Sequence, residues 1–245
     1  MNTVINRETS FADLGLIDYQ QAWDYQTGLF QQTLEIKTAN RLQPDRQQPT
    51  PNHLLFCEHP HVFTLGKSGD EKNLLLASDQ LGSIGATYYR INRGGDITYH
   101  GPGQLVVYPV IDLENFFTDI HRYMRLLEEA VIRTLEEYGV FASRIEGLTG
   151  VWLDADKGMQ ARKICALGVK TSRWVTMHGL AFNINSDLNY FNYIVPCGIN
   201  DRGVTSLQKE LGSLVDVQKV KERMRFHLGE LFDMRWKATT LAYKS

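Results

Sequence analysis

The sequence predicts an α/β domain, and three features carry that reading. Strand-like apolar runs bounded by glycine and proline recur along the chain, amphipathic helices follow Asp18 and Asp119, and no linker or repeat divides the 245 residues. A chain of this length buries a core without disulfide or metal staples. One domain over residues 1–245 is expected, with a small C-terminal helical lobe at about 205–235 as its only subdivision.

Charge and cysteine usage exclude several function classes. The formal net charge is −2, so no global basic field points to nucleic acid or an anionic membrane. Cys57, Cys165 and Cys197 are few, odd in number and without a C-x-x-C spacing, which argues against a disulfide framework or a metal site. Met1 to Ile17 lacks the basic start and apolar core of a signal peptide, and no apolar run approaches the roughly 20 residues of a membrane span. These features point to a reducing cytoplasm, where cysteine is kept for packing or reactivity.

In chain order, Asp18 caps a helix whose Ala22, Trp23, Gln26, Leu29 and Phe30 share a face. Asn40 to Asn52, with Pro44, Pro49 and Pro51, reads as an exposed loop. His53 to Cys57 is a short strand, His61 to Leu65 a second one after the Pro60 break, and Gly66 to Asp70 a turn. Tyr88 to Asn92 is a strand feeding Ile97 to His100, where Ile97 and Tyr99 face away from Thr98 and His100. Gly101, Pro102 and Gly103 bend the chain into a buried strand from Gln104 to Asp112, and so short a connection predicts antiparallel pairing of the two. Thr118 or Asp119 opens the strongest helix, with Tyr123, Leu126, Leu127, Ala130, Val131, Leu135 and Tyr138 on one stripe and Gly139 at its end. Gly150 to Leu153, Lys163 to Val169 and Trp174 to Asn185 are strands. Thr205 to Gln208 is a capping box, and Val217, Val220, Met224, Leu228 and Leu231 mark a last helix.

The most distinctive text is Arg93 to Pro109, RGGDITYHGPGQLVVYP. Interior glycine weakens a strand and buried polar groups need partners, so this mixture suits the wall of a site better than a core strand. Cys197 lies between Pro196, which fixes φ, and Gly198, which lets a ligand approach the backbone, although a cysteine after an apolar run also suits a core. Period two puts Lys163 on the face of Cys165, Leu167 and Val169, with Ile164 and Ala166 opposite. Both faces are apolar, so Lys163 either starts a buried strand with a partly desolvated ammonium or snorkels from a strand edge.

The two residues answer each other's difficulty. A free thiol of pKa near 8.5 is mostly protonated at neutral pH and needs a base or a nearby positive charge, and a desolvated lysine can be either. Cys57 and Cys165 read as buried packing residues. His100 and His178 are candidates for proton transfer or for structural hydrogen bonding.

The runs RGGDITYHGPGQLVVYP, RKICALGVK, MHGLAFN and IVPCGI, in this order within Leu14 to Leu231, resemble the octanoyl-ACP:protein octanoyltransferases, also called the lipoyl(octanoyl) transferase or lipoate-protein ligase B family. The resemblance implies a fold similar to the biotin and lipoate protein ligases: α/β (α+β), with mixed or antiparallel sheets and flanking helices. It implies transfer of an octanoyl group from octanoyl-acyl carrier protein to Cys197, as a thioester, and then to a lysine of a lipoyl domain or of the glycine-cleavage H protein. Lys163 would be the activator of Cys197. Arg93, Gly94, Gly95, Asp96, Ile97, Thr98, Tyr99 and His100, with Ala166, Leu167, Gly168, Gly179, Leu180 and Ala181, would line the acyl pocket.

A thioester donor arrives activated, so no nucleotide, other cofactor or metal is expected. The sequence holds no G-x-x-x-x-G-K-[ST], since Gly66, Lys67 and Ser68 lack the upstream glycine. The Asn40 to Asn52 loop is longer than the compact family pattern, which bears only on the local surface and on partner contacts. Two rival readings share these residues: an ATP-dependent lipoate or biotin-type ligase with a structural Cys197, and a binding module that keeps the pocket without the chemistry.

Overall fold

The computed structural model describes residues 5–77, 79–195 and 203–238. Its strands are β1 (Glu8–Leu16), β2 (Asn52–Glu58), β3 (Val62–Leu65), β4 (Thr87–Arg90), β5 (Ile97–His100), β6 (Gln104–Val110), β7 (Ser143–Ile145), β8 (Leu148–Leu153), β9 (Arg162–Ser172), β10 (Val175–Asn183), β11 (Gly203–Val204) and β12 (Arg235–Trp236). Its helices are α1 (Tyr19–Leu42), α2 (Ile120–Glu136), α3 (Leu207–Leu211) and α4 (Val217–Phe232).

Alternation along the strands explains why the larger sheet is covered on both faces. In β2, Leu54 and Phe56 enter one core cluster while Leu55 and Cys57 enter another, and in β6 Leu105 and Val107 oppose Val106, Tyr108 and Val110 in the same way. The first cluster is closed by α2 and α4, the second by α1. This sheet runs β12-β1-β2-β6-β10-β9-β8-β7. Pairing is parallel from β12 through β1 to β2 and antiparallel from there on, so the sheet is mixed, as expected. β11 pairs in parallel with β9 at Arg162 and Lys163, continuing the row of β10 past its end. A separate sheet has the order β4-β3-β5 and its own cluster, built on Phe63, Leu65, Ile97 and Tyr99.

α1 and α2 start where the caps were read, whereas α3 is capped by Ser206, whose hydroxyl accepts from Lys209 N–H, and not by Thr205 of the expected capping box, whose hydroxyl donates to Glu210. Asp18 accepts the N–H groups of Gln20 and Gln21, and Asp119 accepts that of Arg122, each satisfying donors the first turn leaves unpaired. The predicted stripe of α2 is buried at Tyr123, Leu127, Ala130, Val131 and Leu135. α4 sends Val220, Met224, Leu228 and Phe232 into the same cluster as that stripe. Among the described residues no helix is long and apolar enough to cross a membrane.

Other expectations are corrected as well. Ile97 to His100 and Gln104 to Asp112 do not pair: β5 binds β3 in the small sheet, whereas β6 binds β2 and β10 in the large one. The Gly101 to Gly103 bend is a corner between sheets, its orientation set by Gly103, whose N–H donates to Glu58 Oε2 (2.8 Å) and whose carbonyl accepts from Ile184 and Asn185. The Asn40 to Asn52 stretch is not an open loop throughout. α1 continues to Leu42, and Thr50 and Asn52 are buried, with Thr50 donating to Asp112 (2.9 Å). β1, a strand not expected from its own residues, pairs between β2 and β12.

Gly179 shows how tightly the sheet closes. A Cβ there would lie 2.0 Å from Val107 O and 2.8 Å from Pro109 Cδ. Gly179→Ala is therefore expected to destabilise the fold by about 1–3 kcal/mol through overpacking, read as a lower urea midpoint at unchanged m-value. An unchanged midpoint would show that β10 and β6 are not in this close contact.

Candidate functional site

A cavity of about 600 Å³ lies where the strand faces of β6, β9 and β10 meet the segment from Arg93 to His100. That volume falls within the range of small-molecule sites. Its wall is largely apolar, with Ile97, Val106, Leu148, Ala166, Leu167, Leu180, Ala181 and Phe191 among the lining residues.

The buried guanidinium of Arg93 holds one wall. Its Nη2 donates to Thr64 O (2.7 Å) and Thr64 Oγ1 (3.0 Å), and Nη1 donates to Gly94 O (3.0 Å), while Gly94 N–H donates to Val169 O (2.9 Å). The small sheet and the large sheet are thus tied through Arg93 and Gly94. The side chain fits because glycine flanks it on both sides. A Cβ at Gly66 would sit 2.8 Å from Arg93 Nη1 and 2.2 Å from Gly95 O, and one at Gly168 would sit 3.0 Å from Arg93 Cδ and 2.9 Å from Gly94 O.

Behind this wall lies a cluster of rings from Tyr19, His59, His100 and Tyr108. His100 stacks on Tyr19 (6.0 Å between centroids) and meets His59 edge-on (5.9 Å). Neutral His59 donates through Nδ1 to Ile17 O (2.8 Å) and so accepts at Nε2 from Tyr108 Oη (2.8 Å). His100 Nδ1 donates to Gln104 Oε1 (2.8 Å), Gln104 Nε2 to Asn183 Oδ1 (2.8 Å), Asn183 Nδ2 to Thr205 O (3.0 Å), and Thr205 N–H to Lys163 O (3.0 Å). A continuous hydrogen-bonded path therefore joins His100 to the backbone of Lys163. Tyr19 and His59 carry no signal in the sequence, and Tyr108 stands out there only as part of the Arg93 to Pro109 run, since nothing in their spacing brings three distant segments together.

These imidazoles resist protonation. Burial, then the neighbouring His59, lowers His100 to about 3, and burial with Arg93 and Lys170 lowers His178 to about 3. Such rings are weak bases at neutral pH, which favours the structural alternative for both. His178 also adopts a left-handed backbone, φ 59°, and is pinned by Gln26 Oε1 on its N–H (3.0 Å) and by Asn92 Oδ1 at Nε2 (3.2 Å).

Lys163 reaches the cavity by a route the simple alternation missed. Val151 pairs with Cys165 and Trp152 with Lys163, so one step on β8 matches two on β9 and Ile164 is the extra residue of a bulge. Ile164 and Cys165 consequently both turn into the core, and Lys163, half-buried, emerges with Ala166 on the cavity wall rather than on the face of Cys165. The neighbouring Arg162 ties β9 to α3 through a bidentate pair with Glu210 (2.7 and 2.6 Å) and also contacts Asp154.

Of the residues singled out from sequence, Arg93, Gly94, Gly95, Asp96, Ile97, Thr98, His100, Lys163, Ala166, Leu167, Gly168, Gly179, Leu180 and Ala181 line this one cavity. Tyr99 does not: it points to the opposite face of β5, where it packs against Tyr190 and Phe191, and its hydroxyl lies 2.7 Å from His61 Nδ1. Asp96 is engaged by its own surroundings, accepting from Ile97 N–H (2.7 Å) and Asn73 Nδ2 (2.6 Å). Asn73 O in turn accepts from Val195 N–H (2.8 Å). Cys197 lies outside the described residues. Cys57 and Cys165 are fully buried, and burial pushes both thiols up, which suits packing and not nucleophilic chemistry. Among the described residues no group of three or more His, Cys, Asp or Glu is placed to hold a metal ion.

The chain matches the lipoyl protein ligase A/B catalytic domain over residues 18–229. It is 58% identical to the octanoyltransferase of Cytophaga hutchinsonii, over 98% of this chain and 99% of that protein. It is 60% identical to the octanoyltransferase of Flavobacterium psychrophilum, over 94% and 98%. Among solved structures it resembles a chain of the archaeal lipoylation system of Thermoplasma acidophilum, described as a bi-partite lipoate protein ligase and its E2 lipoyl domain, at TM-score 0.67 and 16% identity over 97% of this chain and 88% of that one. It also resembles a lipoate-protein ligase A bound with ATP, at TM-score 0.65 and 17% identity over 96% and 89%. At such identities the structural likeness speaks to the fold alone.

The buried rings make a pH prediction. An unfolded histidine takes up its proton near pH 6.5, whereas His53 and His59 are held near 4 and His100 and His178 near 3. Below about pH 6.5 the unfolded chain therefore binds more protons than the folded one, and stability falls as pH falls toward 4. Urea midpoints should drop between pH 7 and pH 5, and imidazole nitrogen shifts should show His100 and His178 still neutral at about pH 5. A His100 midpoint above about pH 6 would contradict the buried, uncharged cluster.

Proposed function

The chain belongs to the lipoyl protein ligase A/B catalytic-domain family, and from that premise we propose that it is an octanoyltransferase that acts in two steps through Cys197. In the first, the Cys197 thiolate attacks the thioester carbonyl of octanoyl-acyl carrier protein. A new Cys197–acyl thioester forms, the old C–S bond breaks, and the carrier thiol leaves with a proton. In the second, the amine of a lipoyl-domain lysine attacks that thioester, an amide forms, and Cys197 is released as thiol.

Lys163 serves the first step as the positive charge or base that a cysteine of ordinary pKa needs, and the second by managing the proton shed by the attacking amine. The cavity supplies the binding. Burying roughly six methylenes at about 0.8 kcal/mol each gives about 5 kcal/mol, enough to hold an eight-carbon chain without a charge at its end.

The observation that carries this reading is near-full-length identity to octanoyltransferases combined with an apolar cavity that has Lys163 on its wall. Arg93 to Thr98 form one side of the acyl site, and Ala166, Leu167, Gly168, Leu180 and Ala181 the other. The residues act as one catalytic domain, α4 included, since α4 shares its core with α2. The ATP-dependent alternative draws on the likeness to the ATP-bound ligase, which concerns the fold alone.

Incubation with octanoyl-acyl carrier protein in the absence of ATP should add one octanoyl mass, mapped by peptide analysis to Cys197. Acyl on Cys57 or Cys165, or a strict ATP requirement, would overturn the proposal. Lys163→Ala should slow both half-reactions by about 10²-fold or more, and a loss confined to partner binding would remove Lys163 from the chemistry.

A further inference from the structure

Trp152 stands directly across from Lys163 in the β8–β9 pairing, and side chains of directly opposed residues lie on one face. The lysine Nζ lies over the indole, 4.6 Å from the ring centroid. The ring itself is buried and lines the cavity. A cation over an indole face is attracted by the ring's quadrupole, more strongly where water is excluded.

The stem of Lys163 is confined from the same strand. Gly150 has φ +129° and faces it so closely that a Cβ there would lie 3.2 Å from Lys163 Cε and 3.4 Å from Cδ. Gly150 is held in turn by its N–H, which donates to the buried Glu128 Oε1 (3.0 Å), and Glu128 is braced by Arg125 (2.7 Å) and Arg144 (3.0 Å). The bulge at Ile164 turns Lys163 out of the core, and β8 offers a slot for its stem and a ring for its head.

We infer that Trp152 is a positioning residue for Lys163: its ring fixes the ammonium over the cavity wall, in the place from which it acts on the reacting thioester. This rests on the assignment of Lys163 to the chemistry made above. It sets Trp152 apart from the other apolar lining residues, which would affect how tightly the acyl chain binds and not how fast it is transferred.

The test is a split of kcat from KM for octanoyl transfer. Replacing Trp152 by Leu should lower kcat about tenfold with KM for the octanoyl donor within about twofold, and Trp152→Phe, which keeps an aromatic face, should stay within about threefold of the parent kcat. Site-specific fluorination of the Trp152 ring leaves its shape nearly unchanged and weakens its face, so kcat should fall stepwise with fluorine number while the melting temperature holds. A kcat insensitive to fluorination, or a Trp152→Leu effect that appears only in KM, overturns the inference. Lys163→Ala, measured alongside, separates the two claims: if that variant transfers at the parent rate, the lysine assignment itself fails; if it is slow while the fluorinated proteins are not, only the role of Trp152 fails.

Discussion

The guanidinium of Arg93 is the cross-member on which the cavity depends. It lies buried between a three-stranded sheet and a far larger one, bonded to Thr64 on the first and, through Gly94, to β9 on the second. A buried guanidinium is costly unless its donors are used, and here backbone carbonyls and a hydroxyl use them. Gly66 and Gly168 leave just the width the side chain needs. Gly66 and Gly168 thus serve a packing requirement: they let the two sheets approach around Arg93 so that a third surface, the cavity, remains between defined walls.

Two features of charge follow from that geometry. The rings behind the wall, His59, His100 and His178, are kept neutral by burial, so they add no charge to the cavity. The lysine is brought to the same cavity by a bulge that turns it away from the face its sequence position suggests. A largely apolar lining with the Lys163 amine on its wall suits a reaction in which a hydrocarbon is held by burial while a sulfur centre is made reactive.

Much of this was legible in the sequence, for identifiable reasons. Asp18 and Asp119 announced helices because a capping carboxylate acts on its immediate neighbours, and the stripe of α2 was visible because its period is local. The wall from Arg93 to His100 stood out because so many glycines and polar groups in one stretch are incompatible with a plain core strand. What escaped was non-local. Gly101 to Gly103 has the composition of a hairpin turn, and only the bonds from Glu58, Ile184 and Asn185 make it a corner between sheets. β1 is stabilised by parallel partners from Asn52 and Arg235 onward, which leave no trace in its own residues. The face of Lys163 was misassigned because one extra residue in a strand inverts the alternation before it. Tyr99 follows the alternation and was placed in the pocket with its whole run, although its own position turns it away.

The central claim is that this cavity holds the acyl chain beside Lys163, and a structure of the octanoylated protein tests it most directly. The account predicts an alkyl chain lying along Ala166 and Ala181, covered by Arg93 to Thr98, with its carbonyl end toward Lys163. A chain extending into solvent, or seated in any other part of the molecule, would contradict it.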